Sequence, residues 1–136
     1  MATLAAAFPN QGHTFWSVES FTGNLNNTVD GHNLPQLNDY TKNLKENIPF
    51  LNVNTMQLPG QFAADKFEDE SVDLVFIDGA HDTDSVIRDI EVWLPKVKKG
   101  GVLCGDDIGW DSVEAGVQAK FGTDYSKKQS VWWITK

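Results

Sequence analysis

The run Val72 to Ile77, VDLVFI, is nearly continuous apolar sequence. Such a run suits a strand covered on both faces, as in a parallel sheet, better than the alternating pattern of a half-wet antiparallel one. From Asp84 the period changes to helical, with Val86, Ile90, Trp93, Leu94 and Val97 on one stripe. Pro95 should disturb the last turn of that helix, and Lys96, Lys98 and Lys99 suit its negative end. Gly100-Gly101 then breaks to a short strand, Val102 to Cys104. Strand, helix and strand in that order predict a mostly parallel sheet with right-handed crossovers.

The alternation continues on both sides. His13 to Phe21 is β-branched and aromatic and reads as a strand, and Thr22 to Asn33 reads as a Gly- and Asn-rich loop. Leu37, Tyr40, Leu44 and Ile48 predict a helix from about Pro35 to Asn47. Asn52 to Leu58 is a strand stopped by Pro59-Gly60, followed by a short helix, Gln61 to Phe67, and a polar turn, Glu68 to Ser71. Trp110, Val113, Val117 and Phe121 mark a further helix, and Val131 to Ile134 a final strand. Ala2 to Phe8 reads as a short helix ended by Pro9. The expected fold class is α/β, a mostly parallel sheet with flanking helices, in a single domain over residues 1–136.

Composition narrows the function classes. The 136 residues carry 11 Lys plus Arg and 19 Asp plus Glu, a net charge of −8. That balance argues against a nucleic-acid partner bound through a basic face. Five Trp, eight Phe and a 40% hydrophobic content exclude a disordered chain. A lone Cys104 excludes a disulfide scaffold and is expected to be a small core residue. No apolar run approaches the ~18 residues of a spanning helix, so no membrane partner is expected. The opening apolar stretch has no Lys or Arg before it and does not read as a secretory signal, so a cytoplasmic location is expected.

In an open parallel sheet, ligands bind beyond the carboxyl ends of the strands. Two such ends carry acids: Asp78 closes VDLVFI, and Asp106 and Asp107 follow Cys104 after one Gly. If the two strands are neighbours, about 4.8 Å apart, three carboxylates converge on one small volume. Charges of one sign that close call for a cation or a proton, and hard oxygen donors suit Mg²⁺, Mn²⁺ or Ca²⁺. His81 lies in the loop at the same rim and is a candidate general base. The plainer reading is that Asp78 and His81 tie a loop together, that Asp82 or Thr83 caps the next helix, and that Asp106 and Asp107 face water. His13 and His32 lie far along the chain and suit surface or turn roles, and one of Trp132 and Trp133 belongs to the core. There is no G-x-G-x-x-G, phosphate-binding P-loop, C-x-x-C or H-E-x-x-H motif.

Residues 72–107 resemble the second half of class I S-adenosylmethionine-dependent methyltransferases, in the branch of small-molecule and sugar O-methyltransferases. The resemblance rests on Ile77-Asp78-Gly79-Ala80-His81, Trp93-Leu94-Pro95, Gly100-Gly101 and Gly105-Asp106-Asp107. It extends more weakly to Val18-Glu19-Ser20-Phe21 and Trp132-Trp133-Ile134. It implies a Rossmann-like fold and a divalent cation, Mg²⁺ foremost, held by Asp78, Asp106 and Asp107. It also implies His81 as base on the acceptor hydroxyl, Glu19 on the ribose of S-adenosylmethionine, and Asp78 beside the cofactor.

Against that family the chain reads as N-terminally truncated. The family's first strand and Gly-rich loop would precede Met1, and Pro59-Gly60-Gln61 stands where an acid is usual. A sheet lacking a strand exposes a sticky edge, so a homo-oligomer or a rearranged sheet order is expected. Two function classes stay open: metal-assisted O-methyl transfer to a small hydroxylated acceptor, and a non-catalytic methyltransferase-like module acting through assembly. A third idea, metal-dependent hydrolysis by the same acids, would need no methyl donor.

Overall fold

A computed structural model of the chain describes residues 12–20, 28–29, 32–33, 37–49 and 51–136. The expected helix at Ala2 to Phe8 lies outside the described residues. The chain packs as two compact units, Met1–Pro59 and Gly60–Lys136.

In the first unit, β1 (Thr14–Val18) and β4 (Asn52–Met56) run parallel, with Thr14 opposite Asn52 and Val18 opposite Met56. Helix α1 (Leu37–Asn47) links them in sequence and holds to β1 through a hydrogen bond between the buried Ser17 hydroxyl and Tyr40. Between β1 and α1, the two-residue strands β2 (Thr28–Val29) and β3 (His32–Asn33) pair antiparallel inside the stretch expected to be loop.

The second unit begins with the short helix α2 (Gly60–Ala64). Its sheet runs β5–β6–β8–β7, where β5 is Val72–Ile77, β6 Val97–Gly105, β7 Ser126–Lys128 and β8 Val131–Thr135. β5 and β6 are parallel and joined by α3 (Thr83–Trp93), whereas β8 pairs antiparallel with both β6 and β7. α4 (Asp111–Phe121) lies between β6 and β7 in sequence. Parallel strands linked by helices, with an antiparallel edge, form the Rossmann-like α/β arrangement expected from the element order.

One face of this sheet carries the core. Val75, Leu103 and Trp132 are buried and share that face, and Phe121 of α4 meets the Trp132 ring at 6.3 Å. Val86, Ile90 and Trp93 of α3 and Val113 and Val117 of α4 complete it. The two helices touch closely at Gly116, where an added Cβ would come within 2.8 Å of Val86. Cys104 is buried, and its thiol donates to the Val75 carbonyl at 3.3 Å. Burial pushes the thiol up to about 11.

Two sequence expectations change. Helix α3 stops at Trp93 because Pro95 has no N–H to continue it; Leu94–Lys96 tightens into a 3₁₀ turn. Lys96, Lys98 and Lys99 therefore do not cap a helix but pair with Asp69, Asp73 and Glu70. β6 starts at Val97, and Gly100-Gly101 forms an irregularity within it, where the register slips between Val72 and Leu74 of β5. Second, VDLVFI is not covered on both faces. Val75 is buried, but Leu74 and Phe76 are 38% and 44% exposed on the opposite face. Among the described residues β5 is an edge strand, bonded only to β6.

No helix of the structure is long and apolar enough to cross a membrane, among the described residues.

Candidate active site

The carboxyl ends of β5 and β6 lie side by side, with Ile77 opposite Gly105 and the Asp106 N–H donating to the Ile77 carbonyl at 3.1 Å. Gly105 is required there: a Cβ would lie 2.7 Å from the Trp132 indole nitrogen and 2.8 Å from the Ile77 carbonyl. The strand end thus rests on the Trp132 ring, and the chain turns out of the sheet directly above it.

Asp78, His81 and Asp107 each offer one ligand atom, and these atoms all lie within 4.8 Å of one another. His81 Nε2 sits 2.9 Å from Asp107 Oδ2. This is a close polar approach without hydrogen-bond alignment: Nε2 is sealed from solvent and has no hydrogen-bond partner among the described residues. The backbone around His81 is pinned. Its carbonyl accepts from the Ser112 hydroxyl at 2.6 Å, and Asp82 caps α3 by accepting from the Ser85 N–H at 3.0 Å.

Asp107 adopts φ +57°, in the left-handed region that non-glycine residues seldom enter. Asp is among the few side chains that tolerate it, and such conformations cluster at functional sites. Asp106 stands outside the cluster of ligand atoms. Its Oδ1 accepts from the Asp107 N–H at 2.8 Å, and the Ser130 side chain bonds to it as well. The Ser130 bond foremost, then the Asp107 N–H and the nearby His81, hold the Asp106 carboxyl below its ordinary range. The Ser130 carbonyl also receives the Ile108 N–H at 2.9 Å. The acidic pair thus divides: Asp107 faces the cluster, and Asp106 fixes the loop that presents it.

Glu19 follows β1 in the first unit, exposed, with its N–H donating to the Met56 carbonyl at 3.0 Å. Gly60 of Pro59-Gly60-Gln61 opens α2.

Two residues escaped the sequence reading. Asp89, on the inward stripe of α3 with Val86, Ile90 and Trp93, is half-buried, and burial raises its carboxyl above the usual range. A Cβ on Gly79 would lie 3.1 Å from Asp89 Oδ2, so the loop between Asp78 and His81 passes close over this acid. An acid on the apolar stripe of a helix was the available signal. Trp110 fits the helical stripe of α4 by spacing, yet it is 54% exposed and precedes that helix, its ring 4.7 Å from the His81 ring.

Comparisons with known proteins bear on the family and the fold. Residues 1–108 match the family described as a methyltransferase domain. No curated protein matches the sequence. The O-methyltransferase NovP has a similar structure, with a TM-score of 0.66 at 17% identity over 93% of this chain and 61% of NovP. A protein from Corynebacterium glutamicum aligns at a TM-score of 0.63 and 16% identity, over 98% of this chain and 77% of its own. The MycE methyltransferase of the mycinamycin biosynthetic pathway, solved with Mg, SAH and mycinamycin VI, aligns at 0.58 and 14% identity, over 98% and 47%. The chain thus spans about three fifths of NovP and about half of MycE. With four fifths of its length matched by the family and the Rossmann-like fold in place, the chain belongs to the class I S-adenosylmethionine-dependent methyltransferases.

Proposed function

We propose that the chain is a metal-assisted O-methyltransferase domain that moves the methyl group of S-adenosylmethionine to a small hydroxylated acceptor. The observation that carries the reading is the convergence of Asp78, His81 and Asp107, with His81 Nε2 left without a hydrogen bond. Two carboxylates and an unsatisfied ring nitrogen around one point fit a divalent cation with a base beside it. Partial exposure of the acids leaves room for the water ligands that Mg²⁺ retains. The Mg and SAH in the MycE structure support the same pairing for this chain.

Asp78 and Asp107 are the oxygen ligands in this proposal, and Asp106 holds Asp107 in its left-handed conformation. A divalent cation held there by Asp78 and Asp107 would lower the pKa of an acceptor hydroxyl and orient it. His81 accepts the hydroxyl proton as the oxygen attacks the donor methyl in line. The new C–O bond forms as the S–CH₃ bond breaks, and S-adenosylhomocysteine leaves. Glu19 is assigned to the cofactor ribose, with Asp78 on the cofactor side of the centre. The acidic balance argues against a nucleic-acid partner, and the free buried Cys104 suits the cytoplasm.

The working form proposed is a homo-oligomer. The edge of β5, which pairs with no strand but β6 among the described residues and lies beside Leu74 and Phe76, supports this, since an apolar strand edge is a template for pairing.

A non-catalytic module is the second reading, favoured by Pro59-Gly60-Gln61 in place of an acid. Titration calorimetry with S-adenosylmethionine, with and without Mg²⁺, separates the two. The enzyme reading expects saturable binding that weakens in Asp78→Asn. An absence of heat at millimolar cofactor leaves the module.

A further inference from the structure

His81 Nε2 is an orphan nitrogen among metal-ligating groups. It is sealed from solvent, makes no hydrogen bond among the described residues, and lies 2.9 Å from Asp107 Oδ2. A sealed polar atom without a partner costs stability and calls for an explanation. With no proton aligned between them, a ring-nitrogen lone pair and a carboxylate oxygen at this distance repel each other. A cation bonded to both turns that repulsion into attraction, and neutral imidazole is the commonest metal ligand among side chains.

The spacing favours one geometry. Donors at right angles around an ion with bonds of about 2.1 Å stand about 3.0 Å apart, close to the 2.9 Å between Nε2 and Oδ2. Tetrahedral donors around Zn²⁺ stand farther apart, at about 3.4 Å. The acid that could have made the set all oxygen is engaged elsewhere. Asp106 Oδ1 accepts the Asp107 N–H at 2.8 Å, and its carboxyl also bonds to Ser130. The ligand atoms that gather within 4.8 Å come from Asp78, His81 and Asp107, two oxygens and one nitrogen. Imidazole nitrogen suits first-row transition ions, whereas Mg²⁺ and Ca²⁺ take oxygen. The imidazole is also held in place before any ligand arrives. The Ser112 hydroxyl donates to the His81 carbonyl at 2.6 Å, and the Trp110 ring packs 4.7 Å from the His81 ring.

We infer that His81 Nε2 is the third protein ligand of this centre in the absence of acceptor, and that the nitrogen selects an octahedral first-row transition ion, Mn²⁺, Fe²⁺ or Co²⁺, over Mg²⁺. The inference rests on the cation centre of the proposed function and deepens it by naming the metal class. It also orders the two roles of His81. One lone pair cannot hold a cation and a proton together, so Nε2 lets go of the cation before it accepts the hydroxyl proton.

The test is spectroscopic and needs neither methyl donor nor acceptor. Mn²⁺ is bound to the full chain, and its electron spin echo is read for modulation by a directly coordinated imidazole nitrogen. Mg²⁺ is then titrated against the bound Mn²⁺ in the wild type, His81→Gln and Asp106→Asn. The inference expects nitrogen modulation in the wild type and in Asp106→Asn, and none in His81→Gln. Half-displacement of Mn²⁺ from the wild type should need about a 10-fold or greater excess of Mg²⁺, and that excess should shrink several-fold in His81→Gln. Wild-type Mn²⁺ bound without nitrogen modulation overturns the inference, however His81→Gln folds, and so does an equal Mg²⁺ requirement in those two proteins. Either result leaves standing a cation centre on Asp78 and Asp107 with His81 as base alone. Failure of the centre itself shows differently, as a wild type that binds no Mn²⁺, which overturns the inference as well. Calorimetry with S-adenosylmethionine on the same samples reports separately on the methyltransferase reading.

Discussion

His81 Nε2 and Asp107 Oδ2 lie 2.9 Å apart, brought together from the ends of two neighbouring parallel strands, and Asp107 reaches that position only in a left-handed backbone conformation. Stability and ligand binding should therefore come apart at residue 107. Asp107→Gly relieves the positive φ while loosening the unfolded chain, so its stability should stay within about 1 kcal/mol of wild type. Asp107→Val, β-branched at the same φ, should lose about 1–2 kcal/mol more. Both should lose cation affinity. Urea unfolding midpoints beside Mn²⁺ titrations check the pattern, and equal stability of the two variants would refute it.

Asp106 and Asp89 should give pH dependences of opposite sign. The folded-state pKa of Asp106 lies below the ordinary 3.8, chiefly through the Ser130 hydrogen bond. Its contribution is present above the unfolded value and disappears as the pH falls through the folded one. Burial raises the folded pKa of Asp89 above 3.8, so its ionisation costs stability as the pH rises from the unfolded toward the folded value. Ser130→Ala should lower the melting temperature at pH 7, with the deficit shrinking toward pH 3. Asp89→Asn should raise it at pH 7, with the gain shrinking toward pH 3. Melting curves across that range decide, and a pH-independent offset in either variant contradicts the assignment.

Gly105→Ala places a methyl group 2.7 Å from the Trp132 indole nitrogen and against the Ile77 carbonyl. Overpacking of this kind costs about 1–3 kcal/mol. Because the displaced backbone carries Asp106 and Asp107, cation affinity should fall with stability. Thermal unfolding and Mn²⁺ titration of this variant measure both, and unchanged values would show that the strand end has slack.

Assembly should depend on the open face of β5. Phe76→Lys puts a charge on that edge strand, a substitution that discourages edge pairing. Sedimentation velocity should show an oligomer for the wild type and a shift toward monomer for Phe76→Lys. A monomeric wild type, or an unshifted variant, would remove the assembly proposal.

The region from Val72 to Asp107 was the most legible part of the sequence, because its signals are local: an apolar run, a helical stripe and acids where each strand ends. The strand Val72–Ile77 follows from them directly, whereas the adjacency of the two strand ends was a condition that the β5–β6 pairing meets. What the sequence hid was non-local. Gly100-Gly101 reads as a break, yet it is an irregularity within β6, sustained by pairing with β5. β7, Ser126–Lys128, is exposed at every position and has no apolar pattern; β8 alone defines it. β2 and β3 pair within a stretch whose Gly and Asn content reads as loop, because two-residue strands leave no periodicity to find. At the site, residue types pointed to Asp78, His81, Asp106 and Asp107 together. Only coordinates could separate Asp107, which faces the cluster, from Asp106, which bonds to Ser130 and to the Asp107 backbone.

Electron paramagnetic resonance of Mn²⁺, titrated into the full chain, tests the centre most directly, because it needs neither methyl donor nor acceptor. The account predicts one saturable site, lost in Asp78→Asn and in Asp107→Asn and weakened but present in Asp106→Asn. A chain that leaves all Mn²⁺ free, or that binds it equally in all three variants, contradicts a cation centre built on Asp78 and Asp107.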